Sequence, residues 1–431
     1  MKQHYKELLL IALMLLCGLF ARLYRFNNPI ADWHSWRQSD TSAVSRNFIK
    51  YGFDLLHPRM NNISNVQSGI ENPQGYFYAE FPLYNAAQAG LFKIFGLLTL
   101  EEWGRLVTII MSLLGSLFLY LLVKRRGFPS AAWYTFMFAV FIPYNIYYGR
   151  TILPDSSMVA AIIGGIFFLD TWLDGFRKKS AKPQIAFLFL SLLFTVVAFL
   201  LKPYAVFYTL PMFVLVFTVL QWNFLKKWEL WVFAILSVLP LFWWRNFMRA
   251  YPEGIPANVW LLNGNGIRFR PAFFRWIFYE RLTKLISGYA GVLLLVLGVP
   301  QILKEKKSTW FFLSFPVAAL LYICIFATGN VQHDYYQIVI MPSVAILCGF
   351  GATFLVSFLQ KYMRRYIAYA IVGVLIFVGF WLGWIQVKDY FNINNPSIVV
   401  AGQAVNRLTP KDALVIAPYN GDSSFLYQTN R

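Results

Sequence analysis

Long apolar runs, separated by short basic segments, constrain the fold of this 431-residue chain more than any other feature. A helix needs about 20 apolar residues to cross the roughly 30 Å hydrocarbon core of a bilayer. Eleven runs are predicted spans, at residues 8–23, 104–123, 130–148, 155–174, 184–201, 204–222, 229–246, 285–303, 310–328, 335–358 and 367–386. The sequence therefore predicts an all-α polytopic membrane protein with about eleven transmembrane helices.

The composition supports this fold class and excludes others. Hydrophobic residues make up 58% of the chain and charged residues 13%, whereas a soluble domain has roughly 45–50% and 25%. A disordered chain and an ordinary cytosolic enzyme are therefore excluded. The net charge of +19 does not indicate nucleic-acid binding, because Lys and Arg gather in the cytoplasmic loops of membrane proteins. Three cysteines lie in apolar stretches and offer neither a disulfide framework nor a CxxC metal site: Cys17, Cys324 and Cys348.

Basic loops alternate along the chain and predict its orientation. Five short connections are rich in Lys and Arg: residues 124–126, 177–182, 226–227, 304–307 and 361–365. Because such loops stay in the cytoplasm, we predict a cytoplasmic N-terminus and an outer C-terminus. The first span follows a basic start and precedes Arg22 and Arg25 without a small-x-small cleavage site. It is therefore predicted to be an uncleaved anchor rather than a signal peptide.

The long segments are predicted to lie outside, at residues 24–103, at 247–284 and from 387 onward. Residues 83–98 are apolar but contain Gln88 and Lys93, and they are short for a span. We therefore predict a helix in the outer membrane interface there.

The tail is predicted to be a small α/β segment, with a helix at 400–408, a strand at 413–417 and a third element at 423–428. One strand cannot bury a face by itself, so we expect the chain to be cut inside a domain. The predicted division is a transmembrane domain at 1–386 and an outer segment at 387–431.

Polar residues at the predicted outer ends of the spans are the candidate site. The first outer loop brings Asp32, His34 and Arg37 within six residues, and Asp40 follows. A carboxylate in this position can accept a proton from an attacking nucleophile. We therefore predict Asp32 as the general base and Asp40 as the reserve candidate. A solvated loop that two tryptophans anchor at the interface is the alternative.

Asp155 is a second candidate carboxylate, in the outer turn that contains Arg150 and Pro154. Its position also suits a helix cap, but charged residues on one face of the membrane favour a site. Lys202 and Arg245 end spans on the predicted outer side, against the positive-inside bias. They suit an anion such as a lipid phosphate, and snorkelling to headgroups is the alternative.

Four motifs follow one another along the predicted outer face. They are residues 32–41 (DWHSWRQSDT), 81–84 (FPLY), 201–203 (LKP) and 333–336 (HDYY) with Pro342. Their order and shared location resemble the polytopic glycosyltransferases of the GT-C fold, in particular the protein mannosyltransferase and aminoarabinose transferase branch (glycosyltransferase family 39/83-like). Two features depart from that family. Its first loop often has Asp-Glu, which is absent here, and Glu80 stands where some relatives have a phosphate-binding lysine.

The resemblance implies a reaction in which a sugar is transferred from a polyprenyl phosphate to an acceptor on the outer face of the membrane. The configuration at the anomeric carbon is inverted, and the acceptor is a lipid, a glycan or a protein. His333, Tyr335 and Tyr336 are then predicted to bind substrate, together with Glu80 and the basic residues. His333 is also read as an ordinary interfacial residue. The predicted location is the bacterial plasma membrane, and no nucleic acid is expected as a partner.

Two points stay open in the sequence. A divalent metal on Asp32, Asp40 or Asp155 is neither predicted nor excluded, because these residues show no ligand spacing. A transporter or flippase of lipid-linked sugars is an alternative function, as is another membrane transferase such as a polysaccharide ligase or an acyltransferase. Transporters place polar residues midway through broken spans, whereas these spans are apolar at mid-depth.

Overall fold

The structure, a computed structural model, describes residues 2–177, 184–306, 308–393, 395–417 and 422–431, which fold mainly into helices. The helices are α1 (Lys2–Arg22), α2 (Ser35–Tyr51), α3 (Leu83–Phe95), α4 (Leu100–Arg125), α5 (Pro129–Phe141), α6 (Pro143–Tyr148), α7 (Asp155–Arg177), α8 (Ile185–Leu201), α9 (Thr209–Leu220), α10 (Trp228–Phe247), α11 (Trp260–Asn263), α12 (Pro271–Phe274), α13 (Gly291–Lys304), α14 (Thr309–Ile325), α15 (Ala327–Gln332), α16 (Met341–Leu359), α17 (Arg365–Val387), α18 (Pro396–Leu408) and α19 (Ser423–Thr429). Several are joined by 3-10 turns, and residues 275–286 form a π-helix.

Many of these helices are apolar enough to cross a membrane. Among the described residues, six helical stretches pass by length and composition: Leu100–Arg125, Asp155–Arg177, Pro203–Lys226, Trp228–Ala250, Asp334–Leu359 and Arg365–Leu408. A bent pair, Pro271–Ile286 with Gly291–Lys304, makes a seventh if it counts as one span, and α8 and α14 are shorter apolar helices. Helices also occupy the remaining predicted positions, in α1 and in α5 with α6. The all-α polytopic class is confirmed, and the chain is an integral membrane protein.

Charged residues gather at one end of the bundle. Arg125, Arg126 and Arg177 surround the buried carboxylate of Asp170, at 3.3, 3.3 and 2.6 Å. Lys124 pairs with a carboxylate in the first turns of α1. The start of α1 and the C-terminal ends of α4 and α7 therefore lie together, as alternating basic loops require. Four other basic residues of these loops lie outside the described residues: Lys178, Lys179, Lys182 and Lys307.

Close backbone contacts position the helices around the core. Gly298 on α13 and Gly351 on α16 leave no room for a side chain, because an added Cβ would lie 2.1 Å from the Leu347 oxygen and 1.8 Å from the Leu294 oxygen. Small residues allow membrane helices to approach in this way. A capping box of Thr99 with Glu102 fixes the start of α4, the helix that follows the first outer loop.

The apolar segment predicted to lie in the outer interface forms α3, which packs on α2 and α4. Gln88, one of the two polar residues for which this segment was not predicted to be a membrane span, is completely buried. Its amide oxygen accepts from the Ser45 hydroxyl at 2.7 Å, and its amide nitrogen donates to the Leu100 carbonyl at 2.8 Å. Because a buried amide needs partners, Gln88 joins α3 to α2 and to the start of α4.

The tail differs from its predicted α/β form. The predicted helix at 400–408 lies within α18, and α19 coincides with the third predicted element at 423–428. The predicted strand at 413–417 is wrong, since these residues have no strand pairing in the described part of the chain. A lone extended segment gains stability only from a partner strand, and the tail packs instead through helices. α19 contacts both α18 and α2, so the tail rests on the first outer loop.

Candidate active site

A cavity of about 760 Å³ lies at the end of the bundle where α7 begins, and Asp170 lies in the other half of that helix. The N-terminal part of α2, the end of α10 and the segments around residues 77–80, 202–204, 255–262 and 333–336 form its walls. Nine of the twelve predicted site residues line it: His34, Arg37, Asp40, Glu80, Lys202, Arg245, His333, Tyr335 and Tyr336. Segments that are far apart in sequence therefore meet at one cavity, as the order and common predicted location of the four sequence motifs suggest.

Asp40 is the carboxylate that the first outer loop presents to this cavity. Together with His34 and Arg37 it follows a three-residue spacing at the start of α2, which places the three side chains on one helix face. Asp40 is 4% exposed and accepts a hydrogen bond from the Gln67 amide at 3.2 Å. Burial raises the pKa of the Asp40 carboxyl to about 6, although the Ser423 hydroxyl, Arg37 and Gln67 each favour the charged form. Such a carboxylate can exchange a proton near neutral pH.

Four charged residues form an ion-pair ladder along the cavity. The Arg37 guanidinium donates to both carboxylate oxygens of Glu80, at 2.5 and 2.6 Å. The Lys202 ammonium lies 4.0 Å from Glu80 and 2.9 Å from the Asp155 carboxylate. The negative charges of two carboxylates thus balance the positive charges of Arg37 and Lys202, as a largely buried cluster of charges requires.

Asp155 reaches the cavity through this ladder and does not line it. It is the first residue of α7 and is completely buried. No backbone amide in the described part of the chain donates a hydrogen bond to its oxygens, so the cap alternative finds no support in the geometry. Its described partner is Lys202, and the pair ties the start of α7 to the end of α8.

Arg245 is a cation of the cavity that has no ion pair with a carboxylate among the described residues, although the charge of Glu80 acts on it. It lies in the last turn of α10, and its one described polar contact is with the Met248 sulfur at 3.8 Å. The adjacent Trp244 is buried against Tyr78 and Phe81, which holds this end of α10 in the cavity wall. Arg245 is therefore available to an anion that enters.

Asp32 and Arg150 lie elsewhere, so the structure does not bring the predicted base to the same cavity as Lys202 and Arg245. Asp32 accepts from the Gln38 amide at 2.7 Å and pairs with the Arg150 guanidinium at 3.3 Å. Both charged groups are about 1% exposed. Asp32 borders a smaller cavity of about 220 Å³. The Arg150 guanidinium holds it inside the wall, away from a nucleophile in the larger cavity.

Asp334 is a site residue that the sequence analysis missed. Its buried carboxylate accepts hydrogen bonds from Trp33, Tyr148 and Tyr390, and it contacts His34. Its place inside the HDYY motif was the available signal. Further lining residues without a sequence prediction are Trp36, Gln67, Phe77, Tyr78, Tyr204 and Trp260.

Metal binding receives no support from the geometry. Within the described ranges, no group of three or more His, Cys, Asp or Glu side chains could hold a metal ion. Asp32, Asp40 and Asp155 have separate partners, as described above.

Comparisons with known proteins agree with this architecture. Residues 79–244 match the family described as dolichyl-phosphate-mannose-protein mannosyltransferase. ArnT from Cupriavidus metallidurans, solved in the apo state and bound to undecaprenyl phosphate, is 15% identical at a TM-score of 0.60 and covers 99% of this chain and 75% of its own. The oligosaccharyltransferase AglB from Archaeoglobus fulgidus, in complex with an inhibitory peptide and a dolichol-phosphate, is 9% identical at a TM-score of 0.62, with 98% of this chain and 64% of its own covered.

No curated protein matches the chain by sequence. The structural likeness extends over nearly the whole chain, and the family match covers the segment that contains Glu80, Arg150, Asp155 and Lys202. The chain therefore has the GT-C fold and resembles the protein mannosyltransferases and ArnT within it.

Proposed function

We propose that this protein is a glycosyltransferase that moves a sugar from a polyprenyl phosphate to an acceptor, with Asp40 as the general base. The observation that carries the proposal is the cavity itself, which holds a buried carboxylate with a raised pKa and an arginine that forms no ion pair with any described carboxylate. The undecaprenyl phosphate bound to ArnT and the dolichol-phosphate bound to AglB support a lipid phosphate as the carrier. The acceptor is a lipid, a glycan or a protein.

In the proposed mechanism, an acceptor hydroxyl attacks the anomeric carbon from the face opposite the phosphate. The new carbon–oxygen bond forms as the bond to the phosphate oxygen breaks, and the polyprenyl phosphate leaves with the electron pair. Asp40 takes the hydroxyl proton. Attack from the opposite face inverts the anomeric configuration.

The cations have separate roles in this proposal. Arg245 binds the lipid phosphate directly and stabilises the charge that grows on it. Lys202 approaches the same group while Asp155 and Glu80 keep it oriented. Glu80 also holds Arg37 in place, so it acts on the substrate through the two cations that it orients. Glu80 stands where some relatives of the GT-C family have a phosphate-binding lysine. In this proposal its negative charge positions the cations Arg37 and Lys202 instead.

The proposed orientation places this cavity on the outer face of a bacterial plasma membrane. The opposite end of the bundle contains the Arg125, Arg126 and Arg177 cluster, which suits the cytoplasmic side. The described titratable residues of the cavity lie in the first outer loop or near the ends of spans, and this favours surface chemistry over a transport path through the middle of the membrane.

The direct test is transfer by the purified protein. Labelled polyprenyl phosphates that carry mannose, glucose, galactose or 4-amino-arabinose would be incubated with detergent-extracted envelope lipids, glycans and proteins. We expect one donor to release polyprenyl phosphate as its label moves to an acceptor, with the configuration at the anomeric carbon of the transferred sugar inverted. If the wild type binds neither undecaprenyl phosphate nor any of these donors, the proposal is wrong.

The pH dependence of the reaction follows from Asp40. Its carboxyl must be ionised to accept a proton, and its pKa is about 6. We therefore expect kcat/KM to fall as the pH drops through about 6 and to level off above it. A pH profile of initial rates at acceptor concentrations well below KM measures this limb. A rate that stays constant well below that pH would speak against Asp40 as the base.

Replacement of Arg245 should weaken the binding of undecaprenyl phosphate. A charge-assisted hydrogen bond is worth about 1.5–3 kcal/mol, so Arg245→Ala should raise the Kd by roughly 10- to 150-fold. Arg245→Lys should recover part of the affinity if the contact is bidentate. Arg249→Ala is the matched control, because this exposed arginine lies four residues further on and does not line the cavity. Equal losses in both alanine variants would point to general surface charge instead.

A further inference from the structure

His34 stands in an unusual position at the border of the cavity. Its backbone has φ 56° and ψ 32°, the left-handed conformation, directly before α2. Non-glycine residues rarely adopt it, and such outliers persist where the surrounding structure holds them. The contact of the His34 ring with Asp334 is what holds it here.

Asp334 can only act as an acceptor toward this ring. The Trp33 indole N–H donates to its carboxylate at 3.2 Å, and the hydroxyls of Tyr148 and Tyr390 lie at 2.7 and 2.5 Å. The Arg281 guanidinium, at 3.9 Å, adds a positive charge. An indole nitrogen is a donor only, and so many donors around one carboxylate favour its ionised form.

The tautomer of His34 follows from this arrangement. Since the Asp334 carboxylate accepts, the Nε2 atom of His34 carries the proton that it donates. In the neutral ring the Nδ1 atom is then an acceptor. No described residue forms a hydrogen bond with Nδ1, and the side chain is 17% exposed where it lines the cavity.

Aromatic rings lie beside the His34 ring. Tyr335 and His333 lie edge-on to the His34 ring, with centroids 5.0 and 5.7 Å away, and Trp260 lies 5.7 Å beyond His333. A collar of apolar faces with one fixed polar atom is how a small-molecule site combines contact area with orientation. A sugar ring presents the matching chemistry, with C–H faces and hydroxyl edges.

We propose that Asp334 and His34 form a sugar-reading dyad, in which the Nδ1 atom of His34 accepts a hydrogen bond from a hydroxyl of the transferred sugar or of the acceptor. Asp334 is the positioning residue, and His34 is the residue that touches substrate. The inference rests on the proposed function, since it places the sugar of a lipid-linked donor beside the phosphate-binding cations. It assigns the aromatic collar to carbohydrate and not to the polyprenyl chain.

Two variants of His34 separate recognition from structure. In His34→Gln the side-chain amide can reach the position of Nε2, so it keeps the bond to Asp334 but offers nothing at Nδ1. In His34→Asn the amide lies near the position of Nδ1, and Asn tolerates the left-handed backbone. If the dyad reads a hydroxyl, Asn should retain more of the affinity for the sugar than Gln. If His34 only holds Asp334 in place, Gln should retain more of the affinity than Asn. Strain in the left-handed backbone would lower the affinity of the Gln variant for the sugar-bearing and the bare phosphate alike.

The binding experiment compares undecaprenyl phosphate with polyprenyl phosphates that carry mannose, glucose, galactose or 4-amino-arabinose. The probe is whichever of these binds the wild type more tightly than the bare phosphate. We expect His34→Gln and Asp334→Asn to weaken the sugar-bearing probe about 5- to 10-fold, as one lost hydrogen bond predicts, and to leave the bare phosphate unchanged. If instead the Kd values are unchanged and the KM for a hydroxyl acceptor rises by the same factor, the hydroxyl belongs to the acceptor.

Three results would overturn the dyad. They are equal losses for the bare and the sugar-bearing phosphate, unchanged binding and kinetics in both variants, and a higher affinity of His34→Gln than of His34→Asn for the sugar-bearing probe. Failure of the proposed function looks different, because the bare undecaprenyl phosphate would then not bind at all.

Discussion

Asp40→Asn is expected to lower the turnover of glycosyl transfer by about 100-fold or more, because removal of a general base typically costs 10²–10⁴-fold. Asparagine has nearly the same size and can still accept from the Gln67 amide, so packing around α2 should be kept. The variant should also bind undecaprenyl phosphate with the wild-type Kd, since the phosphate meets Arg245 in this proposal. Release of polyprenyl phosphate from a labelled donor measures the turnover.

Asp54→Asn is the matched control for Asp40→Asn. This carboxylate belongs to the same outer loop, but it is 59% exposed and interacts with His57 and two nearby backbone amides. It should keep wild-type turnover. A folded Asp40→Asn protein with turnover close to that of the control would remove Asp40 from the mechanism.

The fold class was predictable because membrane insertion depends on a local property. Each apolar run meets the length requirement within its own segment, so helices occur at every predicted span. The strand at 413–417 was a different kind of prediction, since a strand requires a partner that sequence alone does not name. The tail instead pairs α19 with α2, where Ser424 contacts Ser35 and Tyr427 contacts Ser42.

The choice between two carboxylates in one loop was not predictable in the same way. Asp32 and Asp40 are both acidic residues near the start of α2, and their spacing does not separate them. The difference comes from Arg150, which is 118 residues away and pairs with Asp32. Asp334 was missed for the same reason, because its donors come from three other segments of the chain. The positions of Lys202 and Arg245 were easier to predict, because a basic residue at the predicted outer end of an apolar span can be recognised from its own segment of the sequence.

The pair of Asp32 and Arg150 is expected to support the fold more than the chemistry. Loss of one partner of a buried ion pair leaves an uncompensated charge and costs about 3–5 kcal/mol. Asp32→Leu should therefore lower the free energy of unfolding by about that amount, because the completely buried Arg150 then loses its carboxylate and, among the described residues, keeps its bond to the Tyr24 carbonyl at 2.6 Å and its contact with the Phe391 ring. Unfolding in mixed detergent micelles, followed by tryptophan fluorescence, measures the change.

The double variant Asp32→Leu with Arg150→Met is the decisive comparison. It removes both charges, and apolar replacements of similar volume often restore stability to a buried pair. We expect the double variant to unfold at a higher fraction of denaturing detergent in the mixed micelles than Asp32→Leu alone. Turnover per folded molecule should stay near that of the wild type in Asp32→Asn, which keeps the bond from Gln38. A well-folded Asp32→Asn protein with a 100-fold loss of turnover, the size expected for a general base, would return the catalytic role to Asp32 and make Asp40 its neighbour.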